Sequence, residues 1–187
     1  MSPRWAWIAL TSLIILSCGC TLSKVTPTGE PGTKIAIQIS STAFDNAGDI
    51  PQAYTCDGKN LSPPLAWRGV PEEAQSLALI VDDPDAPGKA WVHWVLYDLS
   101  PGLSDLPEGL AIGAELPGVG IQGQNDFNQL GYGGPCPPRG TPHHYYFTLY
   151  ALDQMLNLPS GVTKADLENA MKGHFIAQGQ LIGKYGR

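Results

Sequence analysis

Two proline-rich breaks bracket one apolar stretch in this sequence, and together they restrict the chain more than any other feature. The first is Asp83-Pro84-Asp85-Ala86-Pro87, and the second is Gly133-Gly134-Pro135-Cys136-Pro137-Pro138-Arg139-Gly140. Proline fixes its own φ and offers no N–H to a ladder, so neither segment belongs inside a sheet or a helix. Between them runs Trp91-Val92-His93-Trp94-Val95-Leu96-Tyr97, and beyond the second break His143 opens another apolar run. Two carboxylates, a strand histidine, a stiff loop and a second histidine can gather only where strand ends meet. Residues 83–143 therefore predict a small polar pocket at one end of a sheet.

The 22 glycines and 17 prolines favour short strands and many turns, and 43% hydrophobic against 15% charged residues is a globular balance. Residues 76–81 form a nearly continuous apolar run, as a central strand buried on both faces would. Alternation over 91–99 puts Trp91, His93, Val95 and Tyr97 on one face and Val92, Trp94, Leu96 and Asp98 on the other. Residues 143–153 make the strongest strand, with His143, Tyr145, Phe147, Leu149 and Ala151 on one side. Further strands are expected at Ile35, Ile37 and Ile39, from Leu65 and Trp67, and over 177–185. The segment 45–64 is a long turn-rich loop, which must either act or be tied down. Residues 101–118 read as loop with short pairing at Ala111-Ile112. One helix follows, with Thr163 as N-cap, Asp166 in its first turn, and Leu167, Ala170, Met171, His174 and Phe175 at helical spacing. His174 would then be a helix-surface histidine. The expected architecture is one mainly β domain over 34–187, an antiparallel β-sheet sandwich with one main helix near the C-terminus.

Residues 1–20 carry Arg4, an apolar run and Ser17-Cys18-Gly19-Cys20, the zones of a signal peptide. Ile15-Leu16-Ser17-Cys18 resembles a bacterial lipobox with Cys18 as the lipidated residue, and Cys20 is a second candidate. The alternative is an ordinary cleaved signal. Residues 21–33, rich in Thr, Pro, Gly and Ser, read as a flexible tether. The expected location is the bacterial cell envelope, as an exported, membrane-anchored lipoprotein. Export would place Cys56 and Cys136 in an oxidising compartment. They would form either a disulfide that pins residues 54–58 to the proline-rich loop, or two separate thiols.

The net charge of −6 argues against nucleic acid, which requires a clustered basic surface. Asp83, at the end of a buried strand, needs a partner to stay ionised, and His93 is the candidate. Asp85 could instead close an Asx turn, and His93 could be a satisfied core histidine. Asp83, His93 and His143 could formally hold zinc, but no His-x-x-x-His or Cys-x-x-Cys spacing supports a metal, and no cofactor motif is present. No Gly-x-Ser-x-Gly elbow exists, and Cys136 lacks a helix N-terminus to activate it. Anion binding fits better: Gly133, Gly134 and Gly140 could present backbone N–H groups, histidines add donors, and Tyr and Trp supply apolar rims. A hydrolase of small esters or phosphoesters, with His93 or His143 as base, is the second reading.

The two breaks, Trp91-Val92-His93-Trp94, His143 and the loop Tyr54-Thr55-Cys56-Asp57-Gly58 resemble the phosphatidylethanolamine-binding protein family. The Cys-Asp-Gly loop and Tyr150-Ala151-Leu152-Asp153 resemble its bacterial Raf-kinase-inhibitor-like branch. The resemblance covers residues 35–187 and implies a β-sheet fold with a small anion pocket. Its pocket positions fall on Asp83, Pro87, Trp91, His93, Gly134, Cys136, Pro137, Pro138 and His143, beside which Asp85 is a further ligand-binding candidate. His144 stands where the family often has Arg. The resemblance implies a non-enzymatic binding protein for phosphate, a phospholipid head group or a carboxylate, and a protein kinase or protease as an inhibited partner. The remaining expected partners are the membrane, through the lipid anchor, and a second copy of the chain in a homodimer.

Overall fold

The computed structural model describes residues 35–187; the predicted signal peptide with Cys18 and Cys20 and the predicted tether over 21–33 lie outside the described residues. Its strands are β1 (Ile35–Ala36), β2 (Gln38–Ser40), β3 (Gly48–Asp49), β4 (Leu65–Arg68), β5 (Ser76–Asp83), β6 (Trp91–Leu99), β7 (Asp105–Leu106), β8 (Glu115–Leu116), β9 (Gly120–Gln122), β10 (His143–Leu152) and β11 (Phe175–Tyr185), with one helix, α1 (Lys164–Met171). The larger sheet has the order β1-β11-β10-β5-β6-β9-β8, with β3 also on β11, and the smaller has the order β2-β4-β7. All pairings are antiparallel except those of β1 and β3, which lie parallel to β11.

Three layers result. Leu77, Leu79 and Val81 of β5 and Phe147 and Leu149 of β10 pack towards Leu65 and Trp67 of the small sheet. On the opposite face of the large sheet, Ala78, Ile80 and Leu152 pack with Leu167 and Met171 of α1. The predicted faces of β5 and β10 are therefore found as expected, because both strands keep strict alternation over their buried lengths.

β6 does not keep it. Val81 pairs with Trp94 but Asp82 pairs with Val92, so His93 is an extra residue, a β-bulge. The bulge sends Trp94 and Leu96 into the core between the sheets. Val95 and Tyr97 instead join the cluster beneath the helix, away from the face predicted for them with His93. A second irregularity follows at Asp98, whose φ is 52° and whose carboxylate accepts from the N–H groups of Leu156 and Asn157 at 2.8 and 2.9 Å.

The strand predicted through Ile35, Ile37 and Ile39 is split, because the chain leaves β11 at Ile37 and joins the small sheet. That crossing requires a glycine on β11, since a Cβ on Gly179 would stand 1.9 Å from Ile37 O. Pairing in 101–118 occurs at β7 and β8 rather than at Ala111-Ile112. There the carbonyls of Ala111 and Gly113 accept from the buried Gln122 side chain, at 2.9 and 3.0 Å, instead of a strand. Thr163 caps α1 in a reciprocal capping box with Asp166. The helix ends at Met171, so His174 lies beyond it in a turn, paired with Asp153 at 3.0 Å, and Phe175 already belongs to β11.

Candidate functional site

Asp83 ends β5, Trp91 and His93 open β6, and His143 opens β10, so adjacent strands deliver all four side chains to one end of the large sheet's central strands. Asp83 is 3% exposed, and such a carboxylate must be hydrogen-bonded to stay charged. Its Oδ2 accepts from His143 Nδ1 at 2.7 Å and its Oδ1 from the Asp85 N–H at 2.9 Å. The partner of Asp83 is thus His143, not the predicted His93.

His93 is occupied elsewhere. Its Nδ1 lies 2.6 Å from Gly133 O, and a carbonyl only accepts, so Nδ1 carries the proton. Burial pushes the His93 pKa down, against the opposing pull of the Gly133 carbonyl and of Asp83. The imidazole is neutral near pH 7, with Nε2 as its acceptor. Its ring meets Phe127 and Tyr145 edge-on, with centroids 5.4 and 5.1 Å away, and Phe127 meets Trp91 in the same manner at 5.5 Å. The buried Tyr145 hydroxyl has no hydrogen-bond partner of normal geometry; burial first, then the Asp83 charge, drives its pKa upward.

A cavity of about 220 Å³ opens between these groups, lined by Asp83, Pro87, Trp91, His93, Cys136, Pro137, Pro138 and His143, together with Ala86 and Phe127. Asp85 and Gly134 are not on its wall. Asp85 Oδ2 accepts from His144 Nδ1 and from the His144 N–H at 2.7 and 2.8 Å, and the ring hydrogen bond leads in holding its pKa below the usual carboxylate range. The Gly134 N–H donates to Asn60 Oδ1 at 2.7 Å and that of Gly133 to His93 O at 2.8 Å. Those two amides brace the loop and are not left for a ligand. Gly134 is needed for close packing, because a Cβ there would stand 2.5 Å from Asn60 Oδ1 and 2.6 Å from Tyr54 O.

The long loop over 45–64 is tied down against the second wall of the pocket. The Cys56 N–H donates to Pro135 O at 3.1 Å, Tyr132 Oη donates to Tyr54 O at 2.8 Å, and Cys56 and Cys136 are bridged with their Cα atoms 5.4 Å apart. Sequence reasoning passed over Phe127 as a wall residue. Asn125 presents it: Oδ1 accepts from the N–H groups of Phe127 and Gln129, both at 3.0 Å, while Nδ2 donates to Gly131 O at 2.9 Å. An aromatic flanked by turn formers in a glycine-rich loop was the available signal.

Chemically, the pocket is an apolar slot with a few directed polar groups. No lysine or arginine lines it, nor any serine, threonine or free cysteine that could act as a nucleophile. Among the described residues, no three His, Cys, Asp or Glu side chains gather as a metal site needs.

A profile of the phosphatidylethanolamine-binding protein family matches residues 40–186. A UPF0098 protein of Methanothermobacter thermautotrophicus is 51% identical over 151 residues, covering 81% of this chain and 99% of that one. A UPF0098 protein of Pyrococcus horikoshii is 44% identical over 183 residues, covering 96% of this chain and 88% of that one. The crystal structure of a phosphatidylethanolamine-binding protein homolog from Chlamydia trachomatis aligns with a TM-score of 0.74 at 45% identity, over 81% of this chain and 98% of its own. E. coli YbcL, described as a new member of the mammalian family, aligns with a TM-score of 0.75 at 34% identity, over 81% and 98%. A match of that extent, on a chain whose strand ends bring Asp83, His93 and His143 around one cavity, settles the kinship: this chain belongs to the phosphatidylethanolamine-binding protein family.

Proposed function

We propose that this protein is a non-enzymatic binding protein that holds a small oxyanion, phosphate-like or carboxylate, in the cavity between β5, β6 and β10. The observation that carries this reading is the Asp83–His143 pair set beside His93 in an otherwise apolar slot. Such a site fixes a small ligand through a few directed polar groups and excludes water from the rest. The absence of a nucleophile on the wall favours holding over turnover. The leader and lipobox would present this domain from the envelope membrane, and a kinase or protease partner would meet the protein there. Calorimetry with inorganic phosphate and phosphoethanolamine tests the central claim. Asp83→Ala and His93→Ala should each weaken binding by about tenfold or more, the worth of one charge-assisted hydrogen bond. Unchanged affinity in both variants would place the ligand elsewhere.

The Asp83–His143 hydrogen bond also supports a second reading, since a carboxylate that orients an imidazole is how a general base is held. A hydrolase would further require oxyanion donors, and the Gly133 and Gly134 amides predicted for that task are engaged within the loop. Turnover of small esters that vanishes in His143→Gln would favour hydrolysis.

A further inference from the structure

The Cys56–Cys136 bridge lies at the surface: both of its residues are exposed, so a small thiol can reach the sulfurs from solvent. Exposed bridges are the ones that exchange. The two sulfurs here are not equivalent. Arg187 Nη1 donates to Cys136 Sγ at 3.8 Å, while Arg187 Nε pairs with Asp57 Oδ2 at 3.0 Å. Asp57 follows Cys56 in the chain, and the Tyr185 hydroxyl, donating to it at 2.7 Å, leads in holding its carboxyl below the usual range. Cys136 thus has a guanidinium at its sulfur, and Cys56 has a carboxylate as its neighbour. Asp83 shares the cavity wall with Cys136, but its oxygens are engaged by His143 and the Asp85 amide.

When a thiolate opens a disulfide, the departing sulfur takes the electron pair, and the sulfur with the lower thiol pKa departs faster. A neighbouring guanidinium lowers that pKa, and a neighbouring carboxylate raises it. We propose that the Cys56–Cys136 bridge is a thiol–disulfide exchange site for a low-molecular-weight thiol, attacked at Cys56 and releasing Cys136 as a thiolate beside Arg187. In that step the incoming thiolate bonds to Cys56 Sγ as the bond between the two cysteine sulfurs breaks, and the electron pair goes to Cys136 Sγ. The incoming sulfur is oxidised to the disulfide level and Cys136 is reduced to the thiolate, so no further oxidant or reductant enters. The fold suits this direction. The loop that carries Cys56 stays fastened by Tyr132 Oη, which donates to Tyr54 O at 2.8 Å. Residues 136–142 make no backbone hydrogen bond among the described residues, so no ladder opposes the movement of the released Cys136. The exchange requires nothing of the molecule held in the cavity.

Protein isolated without reductant is mixed with excess glutathione, quenched with acid at early times, alkylated with N-ethylmaleimide and mapped by mass spectrometry. Glutathione should sit on Cys56 and the alkyl group on Cys136, outnumbering the reverse pattern by about fivefold, the worth of one charge about 4 Å away in water. Arg187→Gln, at a partly exposed residue outside the cavity wall, should slow the exchange by about the same factor. Equal or reversed adducts overturn the assignment of Cys136 as the leaving sulfur. An exchange rate unchanged in Arg187→Gln overturns the role of the guanidinium. Free thiols at both positions before glutathione is added, or a bridge that exchanges only once the protein is unfolded in urea, overturn the exchange site itself.

Discussion

At the residue scale, Asp83 and His93 face the same dry surroundings with different partners. Asp83 has two hydrogen bonds, from His143 and the Asp85 amide, in place of its water. His93 has a carbonyl for a partner and is pushed by burial towards its neutral form. A group whose pKa falls on folding binds fewer protons in the native state. Its contribution to stability is complete above the unfolded value of about 6.5 and is lost as pH falls towards the lower folded value. Urea unfolding between pH 7 and pH 5 should therefore show stability falling with acid, and His93→Gln should flatten that slope. The limit for one group is about 1.4 kcal/mol per pH unit. Parallel slopes in the two proteins would mean that folding leaves the His93 pKa where it was. The sequence pointed to both residues as pocket-formers, since a carboxylate and an imidazole at strand ends need partners. It did not show which partner each takes, because that depends on a bulge of one residue.

Among the elements, the regular strands were legible and the irregular ones were not. β5 and β10 alternate or stay apolar along their whole buried length, so period alone gives their faces. β6 holds the same residue types but carries its bulge at His93, and the side chains from Trp94 to Tyr97 change sides. Trp91 and His93, two residues apart and ahead of the change, share the pocket wall as alternation predicts. The first predicted strand failed for another reason: its alternation is real, but half of it pairs in each sheet, and pairing partners are not written in a strand's own sequence. Gly179 is the counterpart of that crossing. Its added Cβ would meet the Ile37 backbone at 1.9 Å, too close for a flexible side chain to relieve, and the strand β11 that carries it spans the sheet. Gly179→Ala should thus destabilise by more than about 3 kcal/mol, beyond the range of an ordinary surface substitution. Thermal unfolding measures this directly; a change below about 1 kcal/mol would mean that the two segments do not cross as described.

At the scale of the whole molecule, the pocket is built from segments far apart in sequence, and covalent linkage matters more than local order. The wall residues Cys136, Pro137 and Pro138 lead into a stretch over 136–142 in which, among the described residues, no backbone N–H or C=O forms a hydrogen bond. What holds its first residue is the bridge to Cys56, across a sequence separation of 80, in the loop already fastened by Tyr132 and Asn60. Closing a loop of that length restricts the unfolded chain by an amount worth about 4 kcal/mol in the chain-entropy account. If the protein is exported and forms this bond, its cysteines resist alkylation until a reductant is added. Reduction, or Cys56→Ser, should then lower the melting temperature by roughly 10 °C for a domain of this size. Ligand affinity should fall in the same experiment, because one wall of the cavity loses its anchor while Asp83, His93 and His143 remain on the sheet. A melting temperature that drops with affinity unchanged would assign the bridge to stability alone. Affinity lost in step with reduction would show that the site depends on a contact made only once the distant loop has been fastened.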